Sequence, residues 1–318
     1  MIQSYQYGIY PRSEDVVAAT RGLERGRTSP DEVTDAVKRD RVGLIEAQQE
    51  AGLDFFSDGL LRWQDIFRPL VEATHGMEAR TLVRWFNNNS FFRAPEPGDE
   101  LRLTTELPSV YDEIDDIPEP RVATLPSPFL FSRAAQTTRD RDQLLVEIAT
   151  SILAPVAKAL AGRGFKVIHL QEPWAVYFGI EDETWNPFEK GLAAIKEAIG
   201  GAADLVLHTY FADSAPIIDR LKNLPVDAIG VDLVETDPEA LGSGWQTGVL
   251  AGCLDGRRSV TEPVDSTVDF VRRLADTTGA PRVYVSSNCE LEFLPKDVAR
   301  QKILRLGEIT RRLKEQTS

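Results

Sequence analysis

Three residues able to hold a metal close three apolar runs. His208 ends Ala203-Asp204-Leu205-Val206-Leu207, Asp232 ends Val226-Asp227-Ala228-Ile229-Gly230-Val231, and Cys289 ends the run that starts at Val283. Imidazole, carboxylate and thiolate all suit zinc, so the trio reads as a metal site, with Glu235 one turn past Asp232 as a substitute carboxylate. Each residue also has a plainer reading. A lone buried histidine is more often a satisfied polar residue, an aspartate after a strand caps the next helix, and a cysteine packs as a small hydrophobe. It is the repetition at successive strand ends that favours the metal.

The other apolar runs also leave polar groups at their ends. Arg12 follows Gly8-Ile9-Tyr10-Pro11, while Asp58, Trp63 and Asp65 follow Leu53-Asp54-Phe55-Phe56. Ser127 follows Val122-Ala123-Thr124-Leu125, and Gln171 and Glu172 follow Phe165 to Leu170. Later come Asp255, Arg257 and Arg258, then Asn288 and Glu290. Tyr210 lies two residues past His208, so on an extended chain the two side chains share a side. With a reference pKa of about 10, a neutral phenol is a poor ligand beside a thiolate. Tyr210 is therefore expected to hydrogen-bond a metal-bound water or the substrate. His169, inside its strand, is expected to pack, and His75 has no polar company.

Such residues need a scaffold that brings strand ends together. Strands are expected near residues 7, 55, 123, 168, 206, 229, 250 and 284, most of them joined by helix-length segments. Eight βα units point to an α/β fold, a single TIM (β/α)8 barrel over 1–318, whose chemistry sits at the C-terminal ends of the strands. No Gly-rich G-x-G-x-x-G follows the first strand, against a dinucleotide-binding sheet. Ser29-Pro30-Asp31-Glu32 starts a helix running to Ala51, since serine caps, proline suits the first turn and glutamate completes a capping box. A helix over 139–162 is expected to kink at Pro155. Residues 81–120 read as an inserted hairpin and loop: aromatics flank Asn87-Asn88-Asn89, prolines and Gly98 follow, and Asp112-Glu113-Ile114-Asp115-Asp116 reads as a solvated run.

Composition sets the outer bounds. A net charge of −14 over 318 residues argues against nucleic acid and anionic membrane as partners. A 42% hydrophobic share supports a sizeable core. Two cysteines, Cys253 and Cys289, fit a reducing compartment, and no basic-then-apolar leader opens the sequence, so a cytoplasmic protein is expected. No apolar run of about 18 residues suggests a membrane span.

Several of these pieces together resemble the catalytic C-terminal barrel of cobalamin-independent methionine synthase, in its short "core" form. Gly8-Ile9-Tyr10-Pro11-Arg12 is similar to the family's Gly-Ser-Phe-Pro-Arg, and Gln171-Glu172-Pro173 to its Asp-Glu-Pro. Gly52-Leu53-Asp54 through Asp58-Gly59 and Asp65 resembles its second strand. Leu125-Pro126-Ser127-Pro128 resembles its Gly-Pro turn, and Ser286 to Leu291 its Asn-Pro-Asp-Cys-Gly-Leu. The resemblance implies methyl transfer to homocysteine held as a thiolate on zinc, since coordination deprotonates a thiol at neutral pH. The resemblance has departures. His208-Thr209-Tyr210 replaces His-x-Cys, Asp232 stands for the glutamate ligand, and Arg257 aligns with a proton-donating histidine. Leu60 and Gln171 stand where relatives carry carboxylates that read the substrate's amino group.

The strand ends and the resemblance together assign Asp58, Glu172, Tyr210 and Arg257 as catalytic candidates. Arg12, Trp63, Asp65, Ser127, Gln171 and Asn288 are the substrate contacts, and His208, Asp232, Glu235 and Cys289 the metal ligands. Full-length members use a second, N-terminal barrel to help bind a folate polyglutamate, and no such barrel is seen here. The donor is thus expected to be either a corrinoid (methylcobalamin, with a corrinoid protein as a partner candidate) or a methylated folate. Two other readings stand beside methionine synthesis: alkyl transfer or lysis on another small thiol, and a barrel of the same family without chemistry.

Overall fold

The computed structural model describes residues 1–316. The chain opens with β1 (Ile2–Ser4), helices α1 (Glu14–Glu24) and α2 (Pro30–Ala51), and the short α3 (Arg68–Glu72). An antiparallel pair follows, β2 (Thr74–Arg84) and β3 (Phe91–Leu103). Then β4 (Arg121–Pro126) leads to α4 (Pro128–Ala134), α5 (Arg141–Ile148) and α6 (Ala154–Gly162). Next come β5 (Phe165–Gln171), α7 (Trp174–Tyr177), α8 (Trp185–Ile199), β6 (Asp204–Thr209) and α9 (Ile218–Leu221). The chain ends with β7 (Ala228–Asp232), β8 (Gly248–Leu254), α10 (Val264–Thr278), β9 (Val283–Ser287) and α11 (Lys296–Glu315).

Seven strands pair in parallel in the order β1-β9-β8-β7-β6-β5-β4. Between β4 and β1 the edge is bridged by Tyr5 with Phe55 and by Phe56 with Arg121, so Phe55–Phe56 serves as an eighth stave and the sheet curls shut. This is the expected TIM barrel. Strand alternation divides the side chains into two layers. Tyr5, Tyr7, Phe55, Val122, Val167, Val206, Ala228, Leu250 and Tyr284 fill the inside. The opposite faces pack under the helices, where each buried leucine or isoleucine is worth roughly 2 kcal/mol.

Local chemistry accounts for the helices. Ser29 accepts from the Glu32 amide while the Glu32 side chain returns to Ser29, and α2 stops at Gly52 in the left-handed conformation (φ 67°). Pro155 sits in the first turn of α6, and the chain before it widens into a π turn at Ala149–Leu153. The continuous helix Arg141–Gly162 is long and apolar enough to cross a membrane by length and composition, a feature not expected from the sequence. Its Leu144, Leu145, Ile148, Ile152 and Leu153 are buried, with α5 and α6 packed against α8.

Four expectations shift. The first strand lies at Ile2–Ser4 instead of around residue 7, leaving Tyr7 beyond it inside the barrel. The hairpin starts at Thr74, not at 81, and residues after Leu103 form two 3-10 turns, at Ser109–Tyr111 and Ile114–Asp116. The acidic run there is partly engaged: buried Arg41 of α2 pairs with Glu113 at 2.6 Å and Asp116 at 2.8 Å. The loops after β6 and β7 carry only short turns of helix.

Candidate active site

Above the apolar inner layer the barrel turns polar. In register, Gln171 of β5 faces His208 of β6, and His208 faces Gly230 of β7. A β-carbon on Gly230 would fall 2.6 Å from the His208 ring, so glycine is what lets the imidazole lie across this strand. Tyr7 stacks on His169 at 3.9 Å between ring centres and meets His208 edge-on at 5.1 Å. Tyr210 lies against His208 at 5.5 Å, as the two-residue spacing required. The fully buried Cys289 and Glu290, at the end of β9, act electrostatically on both Tyr7 and Tyr210.

What sets this layer apart is its unused hydrogen-bonding capacity. Both nitrogens of His208, Nε2 of His169, Oε1 of Gln171 and the hydroxyls of Tyr7 and Tyr210 are buried without a partner among the described residues. Leaving one such atom unsatisfied costs about 1–3 kcal/mol, so several in one place make this layer the candidate chamber for a ligand. His169 is the partly satisfied member, with its Nδ1 3.1 Å from the Tyr5 hydroxyl. Burial pushes His208 down to about 3 and both phenols well up, so the imidazole stays neutral and the phenols keep their protons.

The rim behaves in the opposite way. Asp232 accepts on Oδ1 from Val234 N at 3.0 Å, Glu235 N at 3.2 Å and Asn288 Nδ2 at 3.0 Å, and on Oδ2 from Phe211 N at 3.1 Å. Burial raises its pKa to about 6 against those bonds. Asn288 accepts in turn from Gly256 N at 2.8 Å. Glu172 binds the Ser127 hydroxyl and accepts from Leu130 N at 3.1 Å and Ala175 N at 2.9 Å, so it and Ser127 pin the starts of α4 and α7. Burial raises Glu172 to about 7. These are staples between loops.

Several sequence candidates therefore take structural positions. Asp58 accepts from Leu60 N at 3.0 Å and shapes its own turn. Asp65 accepts from Phe67 N and Arg68 N at the entry to α3 and holds the hairpin through Arg93 N at 3.1 Å. Trp63 is wholly buried in the outer core, edge-on to Tyr111 at 5.9 Å. Arg257 pairs with Glu235 at the surface and lies over Phe211 at 5.7 Å. Sequence reasoning gave His169 a packing role and gave Tyr7 and Trp85 no role at the site. For His169 the signal was available: it lies two residues before Gln171 and so faces the same interior. Tyr7 was hidden by the misplaced first strand.

The expected zinc centre does not assemble. Glu235 points outward into its ion pair, because the loop after β7 turns at Val234, itself exposed. Asp232 has its oxygens committed to four donors. The fully buried Cys289 thiol is raised well above its usual range by burial and by Glu290 and Asp232. Among the described residues no three histidine, cysteine, aspartate or glutamate side chains gather as a metal requires. The residues present do not fit zinc, and no step is routed through it.

The hairpin covers the chamber. Trp85 Nε1 donates to Glu290 Oε1 at 3.2 Å, and Phe86 packs on Trp174, Phe178 and Phe211. Phe86 (φ 49°) and Phe211 (φ 76°) both hold left-handed backbone that an aromatic residue rarely adopts, so the packing must compensate. Outside this cover lies an open cleft of about 840 Å³ that includes Phe129, Arg133, Arg141 and Trp174.

Residues 68–279 match the family model described as "Cobalamin-independent synthase, N-terminal domain". The resemblance read in the sequence was to the family's C-terminal barrel, so the family agrees while the matching domain model is the other one. A methionine synthase of Sulfolobus acidocaldarius is 24% identical, covering 97% of this chain and 91% of that protein. A 5-methyltetrahydropteroyltriglutamate–homocysteine methyltransferase of Salinibacter ruber is 25% identical, covering 91% of this chain but 43% of the relative. The solved B12-independent methionine synthase from Shewanella sp. W3-18-1, in complex with selenomethionine, superposes with a TM-score of 0.76 at 19% identity, over 99% of this chain and 98% of that one. These names speak of a methylated folate in one case and of independence from B12 in another; none supports the corrinoid donor or corrinoid protein expected as candidates. With its relatives methyltransferases and most of its length matched by the family model, the chain belongs to the cobalamin-independent methionine synthase family.

Proposed function

We propose that this chain transfers a methyl group to the thiol of homocysteine, with a methylated folate as donor, inside the chamber formed by Tyr7, Gln171, His208 and Tyr210. The observation that carries this reading is the group of unpartnered polar atoms enclosed at the C-terminal ends of the strands, in a chain of this family. The neutral His208 imidazole is the acceptor for the thiol proton, and the Tyr7 and Tyr210 hydroxyls donate to the sulfur. A lone imidazolium here is penalised by burial, but one formed beside a thiolate shares its charge with it. The sulfur–methyl bond then forms as the donor's nitrogen–methyl bond breaks, and the thiol's proton is what the leaving nitrogen finally carries. The chain's task is to hold sulfur and methyl in line and exclude water, which is where most of such a barrier falls.

A folate is far larger than homocysteine, and a donor of that size needs room outside the layer around His208. The cleft at Trp174, adjoining the aromatic cover, provides space of the right order. The test is methionine formation, followed by mass spectrometry, from homocysteine and 5-methyltetrahydropteroyltriglutamate. Turnover is expected with the purified chain. If homocysteine is consumed with neither this donor nor its shorter monoglutamate form, the reading fails.

A further inference from the structure

One polar group of the inner layer has no part in methyl transfer as described. His169 of β5 stands level with Val206 of β6, whereas Gln171, two residues on, stands level with His208. His169 therefore lies one step deeper on the same face, at the floor of the chamber. Its wholly buried ring stacks on Tyr7 and stands nearly perpendicular (82°) to the His208 ring, 5.3 Å away between centres. Burial, with His208 adding to it, holds the His169 pKa well below its usual value, so the ring is neutral and carries one proton.

Which nitrogen holds that proton follows from Tyr5. Tyr5 belongs to the apolar inner layer, wholly buried and edge-on to Phe55 at 6.0 Å and to Tyr284 at 5.5 Å. Its hydroxyl lies 3.1 Å from His169 Nδ1 and has no other hydrogen-bond partner among the described residues. A phenol has one proton to give. Were Nδ1–H to donate to the phenol, that phenolic proton would be stranded in an apolar layer with nothing to accept it. With Tyr5 donating, the phenolic proton is used, Nδ1 is the acceptor, and the imidazole proton sits on Nε2. Nε2 is the ring nitrogen that has no partner, so the proton left to give belongs to the polar layer.

We propose that His169 is a further catalytic residue, whose Nε2–H donates a hydrogen bond to the substrate sulfur as it ionises, and that Tyr5 is the positioning residue that sets this tautomer. The two histidines of the chamber then have opposite polarity: His208 takes the thiol proton, and His169 gives a hydrogen bond to the anion left behind. Such a bond is stronger to a thiolate than to a thiol, so it favours ionisation. The identity of the thiol rests on the proposed function.

The chain has three histidines, so ring-15N labelling of the full chain gives a readable NMR spectrum, with the His169 signals assigned by their loss in His169→Gln. His169 should be protonated on Nε2, and that proton should move downfield when homocysteine binds. Protonation on Nδ1, or an Nε2–H that homocysteine leaves unmoved, overturns the proposal in the unaltered chain, whether or not any variant folds. In Tyr5→Phe the Nδ1–H form should appear, and its absence removes Tyr5 from the positioning role. The thiolate absorbance of bound homocysteine, followed against pH, gives the second readout. His169→Leu should raise the bound thiol's pKa by about one unit, a tenfold loss of thiolate. Below that pKa turnover should then fall only about threefold, because the thiolate that remains is the stronger nucleophile. His169→Gln, whose Oε1 accepts from Tyr5 while its amide donates, should recover most of the pKa shift. An unshifted thiol in His169→Leu overturns the donor, and if that variant still makes methionine the function stands without it. A chain that shows the shifts but makes no methionine keeps the donor and loses the function. No binding of homocysteine to the unaltered chain overturns the donor outright.

Discussion

The barrel's rim and its inner polar layer use similar residues to opposite ends. At the rim, Asp232 and Glu172 satisfy backbone amides from the loops around them and are full. Inside, the side chains of His208 and Tyr210 are equally buried and, among the described residues, have no hydrogen bond. A buried carboxyl saturated with donors holds architecture, and a buried imidazole with none holds a place for something else. Polarity at a strand end is therefore a weaker sign of chemistry than unspent hydrogen-bonding capacity.

That contrast breaks most visibly at Asp232. Asp232→Ala strands four donors in the interior and should cost about 3–5 kcal/mol in a urea melt. A loss under about 1 kcal/mol would remove Asp232 from the architectural set. Glu172 comes next. Its pKa is raised from 4.5 to about 7 in the folded chain, so the folded state holds the extra proton between those values. Stability is then greatest below about pH 4.5 as far as this group is concerned, and is lost as pH rises through 7. The loss is on the order of 3 kcal/mol by the usual conversion. Asp232, Glu290 and Glu292 are raised too and slope the same way. Glu172→Gln should flatten the fall between pH 5 and 8 in chemical melts, and an unchanged slope would contradict the assignment. Smallest is Glu235, once a ligand candidate. Its surface pair with Arg257 predicts that Glu235→Ala changes stability by less than about 0.5 kcal/mol and the methyl-transfer rate by less than about twofold. A tenfold loss of rate would return Glu235 to the site.

Much of the scaffold was legible because its signals are local. The Ser29 capping box, the stop at Gly52 and the disturbance at Pro155 depend on a few neighbouring residues, and all three are where the sequence put them. Strand periodicity likewise placed β4 to β9 and the side shared by His208 and Tyr210. What failed needed partners distant in sequence. That Asp232 would be filled by Phe211 and Asn288, or that Glu235 would turn out to Arg257, depends on how three loops meet. Trp85 is more than two hundred positions from the Glu290 it holds, and no spacing announces such a pair. Tyr7 was lost to an error of a few residues in the first strand, which reverses the faces of a strand whenever the slip is odd.

Methyl transfer in the unpartnered layer around His208 is the central proposal. Its most direct test is kcat/KM for methyl transfer to homocysteine in the unaltered chain and in His208→Ala, measured at equal folded fraction. The expected result is a loss of at least about a hundredfold with the thermal midpoint nearly kept, since the His208 ring makes no hydrogen bond among the described residues. His208→Ala turning over within about threefold of the unaltered chain would contradict it and place the chemistry elsewhere.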